Sequence, residues 1–163
     1  MIAFPVVVPD SVTKIRDGWP TEARWRESLS YCERTKHEEL TMDLTALIEE
    51  IKQHPRFEDV GMVLSHSGYV RRLSRNGRQV TGFRVDVDDV KCKAVIEEGL
   101  AEPGIVDIKL WFNAGKVLGI GDPVMLLVVA GDNRDNVFAC LQKTLNRLEE
   151  VGAKKKQEFF EEI

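Results

Sequence analysis

The sequence has no apolar run close to the roughly 20 residues that a membrane-spanning helix needs. It also has no excess of positive charge, since 23 lysines and arginines against 27 aspartates and glutamates give a net charge of −4. Without such an excess to neutralise phosphates, the chain is not typical of a general nucleic-acid binder. We therefore expect neither a membrane partner nor a nucleic-acid partner.

Cysteine and histidine are scarce as well. Cys32, Cys92 and Cys140 are far apart and form no CxxC pair, and the three histidines do not have the spacing of zinc ligands. We expect reduced thiols in a cytoplasmic protein, with neither a metal nor a cofactor. The first residues, MIAFPVVVPDS, contain two prolines and no basic region, so we expect no signal peptide.

The 163 residues do contain enough apolar material for one domain, with 43% hydrophobic and 31% charged residues. Apolar spacing predicts a helix from about Thr21 and further helices over 44–53, 89–101 and about 137–152. Strands are predicted over 60–65, 80–87, 106–110 and 123–130. Asn76-Gly77 predicts a hairpin turn between the first two strands. This order favours an α+β fold with an antiparallel sheet and packed helices.

The predicted turn over 71–79 is strongly basic. Arg71, Arg72, Arg75 and Arg78 lie within eight residues that contain no acid. Guanidinium groups match the geometry of phosphate and stay charged, so the cluster can form an anion site. The alternative is a solvated hairpin turn.

Three other positions could carry chemistry. In the segment 132–135 (DNRD), Arg134 could hold a phosphate or carboxylate at the start of a helix, or Asn133 could simply cap that helix. The lysine run 154–156 could contain an amine of lowered pKa, or could lie in water beyond the C-terminal end of the helix. His66 could carry a proton or be a hydrogen-bonded structural histidine.

Two segments together resemble the large, catalytic subunit of molybdopterin synthase, the MoaE family. Residues 61–72 (GMVLSHSGYVRR) are similar to a strand that ends in a Gly-x-Val-Arg turn, which includes Arg71. Residues 118–138 (LGIGDPVMLLVVAGDNRDNVF) are similar to a Leu-x-x-Gly-Asp, apolar-strand, His-Arg and Ala-Phe signature, which includes Arg134. The family's Trp-Lys-x-Glu ending falls at Lys156 and Glu158, so the resemblance covers about residues 37–160.

The resemblance implies an α/β-hammerhead-type domain over 37–163, preceded by an N-terminal extension over 1–36. It implies sulfur transfer from the C-terminal thiocarboxylate of a small ubiquitin-like carrier to cyclic pyranopterin monophosphate, within molybdenum cofactor biosynthesis. Homodimers of the large subunit within a heterotetramer are implied, in which each protomer helps to complete the other's site. The implied catalytic residues are Lys156 and Lys154, and the implied substrate-binding residues are Arg71, Arg134, Asn133 and Lys155.

The sequence departs from the family's pattern at the positions that carry acid–base chemistry. A family lysine at the end of the last helix is Glu149 here, and the histidine before Arg134 is Asn133. The tryptophan before Lys156 is Lys155. Three functions therefore stay open: an active synthase subunit, a non-catalytic relative that binds a pterin, a phosphate ligand or a β-grasp partner, and a dimeric structural domain.

Overall fold

A computed structural model describes residues 43–160 of the chain, with the exception of the Lys155 side chain. The predicted helix from Thr21 and the predicted extension over 1–36 lie outside the described residues. Within the described part, no helix is both long enough and apolar enough to cross a membrane.

Three helices and six strands follow one another along residues 43–160. A 3₁₀ turn, Phe57–Asp59, joins the first helix to the first strand. In chain order the elements are α1 (Leu44–Lys52), β1 (Met62–Tyr69), β2 (Val80–Val87), α2 (Asp89–Leu100), β3 (Ile105–Phe112), β4 (Val117–Leu118), β5 (Pro123–Gly131), α3 (Arg134–Glu150) and β6 (Lys154–Phe160).

The strands form two antiparallel sheets of three strands each. The first sheet has the order β1–β5–β3, and its central strand β5 is buried along most of its length. The second sheet has the order β4–β2–β6. Helices α2 and α3 pack together and against the first sheet, where Gly99 of α2 allows the close approach because a Cβ atom there would lie 2.6 Å from Ile108 Cδ1. The predicted α+β fold with antiparallel pairing and packed helices is confirmed.

The predicted hairpin between the first two strands is wrong in its pairing. Its turn exists, because Gly77 has a φ of 77° and Leu73 and Gln79 form a β-bridge. However, β1 pairs with β5, and β2 pairs with β4 and β6. The apolar strand β5 buries both faces only at the centre of a sheet, so it takes β1 and β3 as its two neighbours.

Sequence patterns located most of the other elements. The Asp43 side chain caps α1 by accepting a hydrogen bond from Thr45 N at 3.1 Å, which accounts for the start of the helix at its predicted position. Helix α3 begins at Arg134, three residues before its predicted apolar stripe, because Asn133 caps it. Strand β6 is absent from the predicted elements, because its run of three lysines shows no alternation of apolar and polar residues.

Candidate functional site

A groove of about 1040 Å³ is lined by both sheets, by the loop between β1 and β2, and by the C-terminal part of α3. Its apolar floor comes from β2, β3 and β5, and includes Phe83, Val85 and Phe112. Of the predicted site residues, Arg71, Lys154 and Lys156 line this groove. His66 of β1 lines it too.

Three charged side chains form one end of the groove, and we call Glu149, Lys154 and Lys156 the lysine cluster. Lys156 Nζ donates a hydrogen bond to Glu149 Oε1 at 2.7 Å. Lys154 Nζ lies 3.6 Å from the same oxygen. The two lysines stand two residues apart on β6, so they share a face of the strand and reach one carboxylate together.

The two lysines differ greatly in their exposure. The Lys154 side chain is only 6% exposed, whereas that of Lys156 is 45% exposed. Burial, followed by the charge of Lys156, lowers the pKa of Lys154 from its ordinary value. The hydrogen bond from Lys156, with the charges of both lysines, lowers the pKa of Glu149. The cluster therefore combines a fixed carboxylate with one solvated and one buried ammonium group.

Groups from three other elements surround the Lys154 ammonium. Met125 of β5 lies with its Sδ 3.7 Å from Lys154 Nζ. Burial, and secondly the charge of Lys154, lowers the pKa of His66 on β1. Burial raises the pKa of the Cys92 thiol on α2 to about 12, with a further contribution from Asp89 and Asp88. His66 is thus kept neutral at pH 7, and Cys92 remains an unreactive thiol.

The basic turn forms the other end of the groove, which we call the arginine loop (residues 71–78). Arg71, Arg75 and Arg78 line the groove, and all three are exposed. The Arg78 guanidinium lies 4.0 Å from the centroid of the Phe160 ring. Such a cation–π contact fixes a flexible arginine beside the groove without neutralising its charge. This end of the groove can therefore attract an anion.

The predicted residues at the start of α3 lie elsewhere. The Asn133 side chain accepts hydrogen bonds from Asp135 N and Asn136 N, each at 3.1 Å, so it caps the helix. Arg134 is 80% exposed, with its Nε 3.5 Å from an Asp135 carboxylate oxygen. Neither residue lines the groove within one protomer. Lys155 pairs with Asp86 in the backbone register of β6 and β2.

Strand β6 is the part of the site that sequence reasoning missed. It supplies two members of the lysine cluster, together with Glu158 and Phe160. No alternation of apolar and polar residues over 154–160 (KKKQEFF) indicates this strand, although its geometry places all four of these side chains on one face. The described residues contain no group of three or more His, Cys, Asp or Glu side chains arranged to hold a metal ion.

A model of the MoaE protein family matches residues 37–151 of the chain. The chain belongs to the MoaE family. This membership supports a role in the biosynthesis of the molybdenum cofactor. No curated protein sequence gives a significant match.

Solved structures with the same fold come from several bacteria. Molybdopterin synthase from Staphylococcus aureus is 20% identical, with a TM-score of 0.57 over 68% of this chain and 87% of that one. Molybdopterin cofactor biosynthesis protein E from Burkholderia multivorans is 22% identical, with a TM-score of 0.56 over 75% and 84% of the two chains. A complex of subunits 1 and 2 of the molybdopterin-converting factor from Helicobacter pylori is 22% identical, with a TM-score of 0.52 over 73% and 80%.

Proposed function

We propose that this MoaE protein is the large subunit of a molybdopterin synthase and transfers sulfur to a cyclic pyranopterin monophosphate. The sulfur donor is the C-terminal thiocarboxylate of a small ubiquitin-like carrier. The observation that carries the proposal is the joint placement of Lys154, Lys156 and Arg71 along one groove. Family membership supports the class of reaction.

The charges of the groove suit two anionic reactants. Both the thiocarboxylate and the substrate phosphate are negative, and the lysine cluster carries two positive charges against one negative charge. An ammonium and an anion 4 Å apart attract each other by about 4 kcal/mol at the effective dielectric of a protein surface. The lysine cluster therefore holds the thiocarboxylate, and the arginine loop holds the phosphate through Arg71, with Arg75 and Arg78 beside it.

Each sulfur transfer exchanges one oxygen of the substrate for sulfur. A carbon–sulfur bond forms as a carbon–oxygen bond of the pterin substrate breaks, and the departing oxygen takes up a proton. Water then cleaves the bond between the carrier's acyl carbon and the sulfur, which leaves a carboxylate on the carrier. The lysine cluster supplies both the proton for the departing oxygen and positive charge that stabilises the developing negative charge.

A second protomer completes the site in this proposal. Arg134 and Asn133 lie outside the groove of their own protomer, and the exposed Arg134 guanidinium is free of groove contacts. A homodimer that brings this end of α3 to the neighbouring groove adds a further cation for the phosphate. Two small carriers and two large subunits then form a heterotetramer, and the complex from Helicobacter pylori supports a two-subunit arrangement. We place this assembly in the cytoplasm, where thiols stay reduced.

The test reconstitutes the reaction with purified components. The protein is mixed with a thiocarboxylated small subunit and the cyclic precursor, and the dithiolene product is measured. We expect product from the wild-type protein and none from Lys156→Ala, while Lys116→Ala, an exposed lysine outside the groove, stays active. An unaffected Lys156→Ala variant would remove Lys156 from the mechanism.

The second candidate is a relative that binds these ligands without turnover. Two observations favour it: Glu149 places a carboxylate within the lysine cluster, and Asn133 is fully engaged as a helix cap. A carboxylate repels both anionic reactants, and an asparagine side chain neither gains nor loses a proton near neutral pH. Binding of the precursor or of the carrier, with no dithiolene formed, would establish this function in place of the first.

A further inference from the structure

Lys154 is the most unusual charged group in the described part of the groove. Its side chain is 94% buried, yet it lines the groove, and its ammonium lies 3.6 Å from the one carboxylate of the lysine cluster. A buried ammonium loses most of its hydration, so such a lysine is kept only where surrounding groups compensate for its charge.

The groups that surround Lys154 come from four elements. Glu149 of α3 is the negative neighbour, and Lys156 of β6 is the positive one. His66 of β1 and Cys92 of α2 are electrostatically coupled to Lys154, and both are uncharged at neutral pH. Burial makes Lys154 lose its proton more easily, and the balance between Glu149 and Lys156 adjusts this effect.

Lys156 contacts the same carboxylate as Lys154 but differs from it in exposure. Its ammonium is half exposed and donates a hydrogen bond of 2.7 Å to Glu149, so water and the carboxylate both stabilise its positive charge. The two lysines are therefore not equivalent, even though they share a strand face and a partner.

We propose that Lys154 is the group that gives and takes the proton in this groove, that Lys156 is a fixed cation, and that Glu149 is the positioning residue that separates the two roles. This inference rests on the proposed sulfur transfer. It gives Glu149, which stands where the family has a lysine, a positioning role. As the carbon–oxygen bond of the substrate breaks and the carbon–sulfur bond forms, Lys154 donates one proton to the departing oxygen. Lys154 becomes a neutral amine and regains its proton from water after the product leaves.

The first measurement follows each lysine by NMR in protein that carries ¹³C-labelled lysine. In the wild-type protein we expect Lys154 to titrate at lower pH than an ordinary lysine does. Glu149→Gln removes the negative neighbour, so the titration of Lys154 moves to lower pH. Lys156→Gln removes the positive neighbour, so the titration of Lys154 moves to higher pH. The signals of Lys52 and Lys143, which lie outside the groove, serve as controls and stay in place.

The second measurement is the pH profile of the transfer reaction. A proton-donating Lys154 makes kcat fall on the alkaline side, and in Glu149→Gln this alkaline limb moves to lower pH together with the NMR titration of Lys154. A merely structural role of Glu149 would lower kcat without moving the limb. The direction of the shift therefore separates positioning from structural support.

The outcomes separate this inference from the proposed function. Titration of Lys154 at the ordinary pH of a lysine, or shifts of the same sign in both variants, would overturn the inference whatever the turnover. Opposite NMR shifts in a protein that forms no dithiolene would overturn the proposed function, and would still establish Lys154 as the titrating group of the groove. If the NMR titration of Lys154 shifts in opposite directions in the two variants but the alkaline limb of the kcat profile does not move, Lys154 is not the proton donor.

Discussion

Both ends of helix α3 have charged side chains, but the charges at the two ends have different surroundings. At its N-terminal end Asn133 caps the helix, and Arg134 extends into solvent. At its C-terminal end Glu149 joins the two lysines of β6. Seventeen residues separate the ends by about 25 Å, so one groove cannot contain both within a protomer. A single helix therefore presents one charged end to its own groove and the other end outward.

The helix dipole reinforces this difference. Its negative end lies near Lys154 and Lys156, and its positive end lies near Arg134. The lysines are therefore stabilised where they are, whereas Arg134 gains nothing from the helix and is only weakly held by Asp135 at 3.5 Å. An arginine that its own protomer does not hold is available to an anion that lies against another protomer.

The largest expected effect comes from removing the buried charge at the C-terminal end. Lys154→Met should lower the rate of sulfur transfer by about 100-fold or more, because general acid catalysis is lost. Unfolding should be unchanged or shifted to higher temperature, since the side chain is buried and a methionine needs no hydration there. A transfer assay and a thermal melt check both parts. A large fall in melting temperature would instead mean that Lys154 serves the fold.

A mixed dimer tests whether Arg134, at the N-terminal end of α3, serves the groove of the neighbouring protomer. Arg134→Ala and Lys154→Met are each expected to inactivate their own homodimer for the reaction, because both groups serve every site. Co-purification of the two variants with different affinity tags gives mixed dimers, in which one site contains both changes and the other contains neither. The purified mixed dimers should therefore have about half of wild-type activity, because one of their two sites is intact. No restoration would place Arg134 outside the neighbouring groove.

The sequence was most informative where one element determines its own structure. The caps Asp43 and Asn133 and the apolar strand β5 each carry a local signal, so their elements were located closely. The pairing of strands depends on competition between distant segments. The Asn76-Gly77 turn is visible in the sequence, but β1 pairs with β5 and not with β2. No local sequence pattern indicates which of these two strands β1 will pair with.

The site was predictable only in part for the same reason. Lys154, Lys156 and Arg71 were identified from the sequence and line one groove, whereas the predicted partner Arg134 does not. From the sequence alone, the lysine run is compatible with either an amine of lowered pKa or a solvated tail. The pairing of β6 with β2, which buries Lys154, decides between them. Only the packed structure shows that Lys154 and Lys156 differ in exposure.

A smaller effect separates the cap from the charge at the N-terminal end of α3. Asn133→Ala removes the acceptor for two backbone N–H groups and should cost about 1 kcal/mol of unfolding free energy. Asn133→Asp keeps an acceptor in the same place, so stability should be retained, but its negative charge should weaken the binding of an anion near Arg134. Denaturant unfolding and the KM for the cyclic precursor distinguish the two variants. Equal KM values in wild type and Asn133→Asp would limit Asn133 to capping.

The smallest effect is the pH dependence of stability at the C-terminal end. The native state lowers the pKa of Glu149, so the unfolded chain binds more protons there as the solution becomes acidic. The stabilisation is therefore fully present above the ordinary pKa of a glutamate and is lost as pH falls through the lowered native value. Glu149→Gln should cost no more than about 1 kcal/mol at pH 7, because the carboxylate is half exposed, and its unfolding curve should converge with that of the wild type in acid. A constant difference between the two proteins at all pH values would mean that Glu149 stabilises the helix by packing, and the ionic link from α3 to β6 would then have no energetic role.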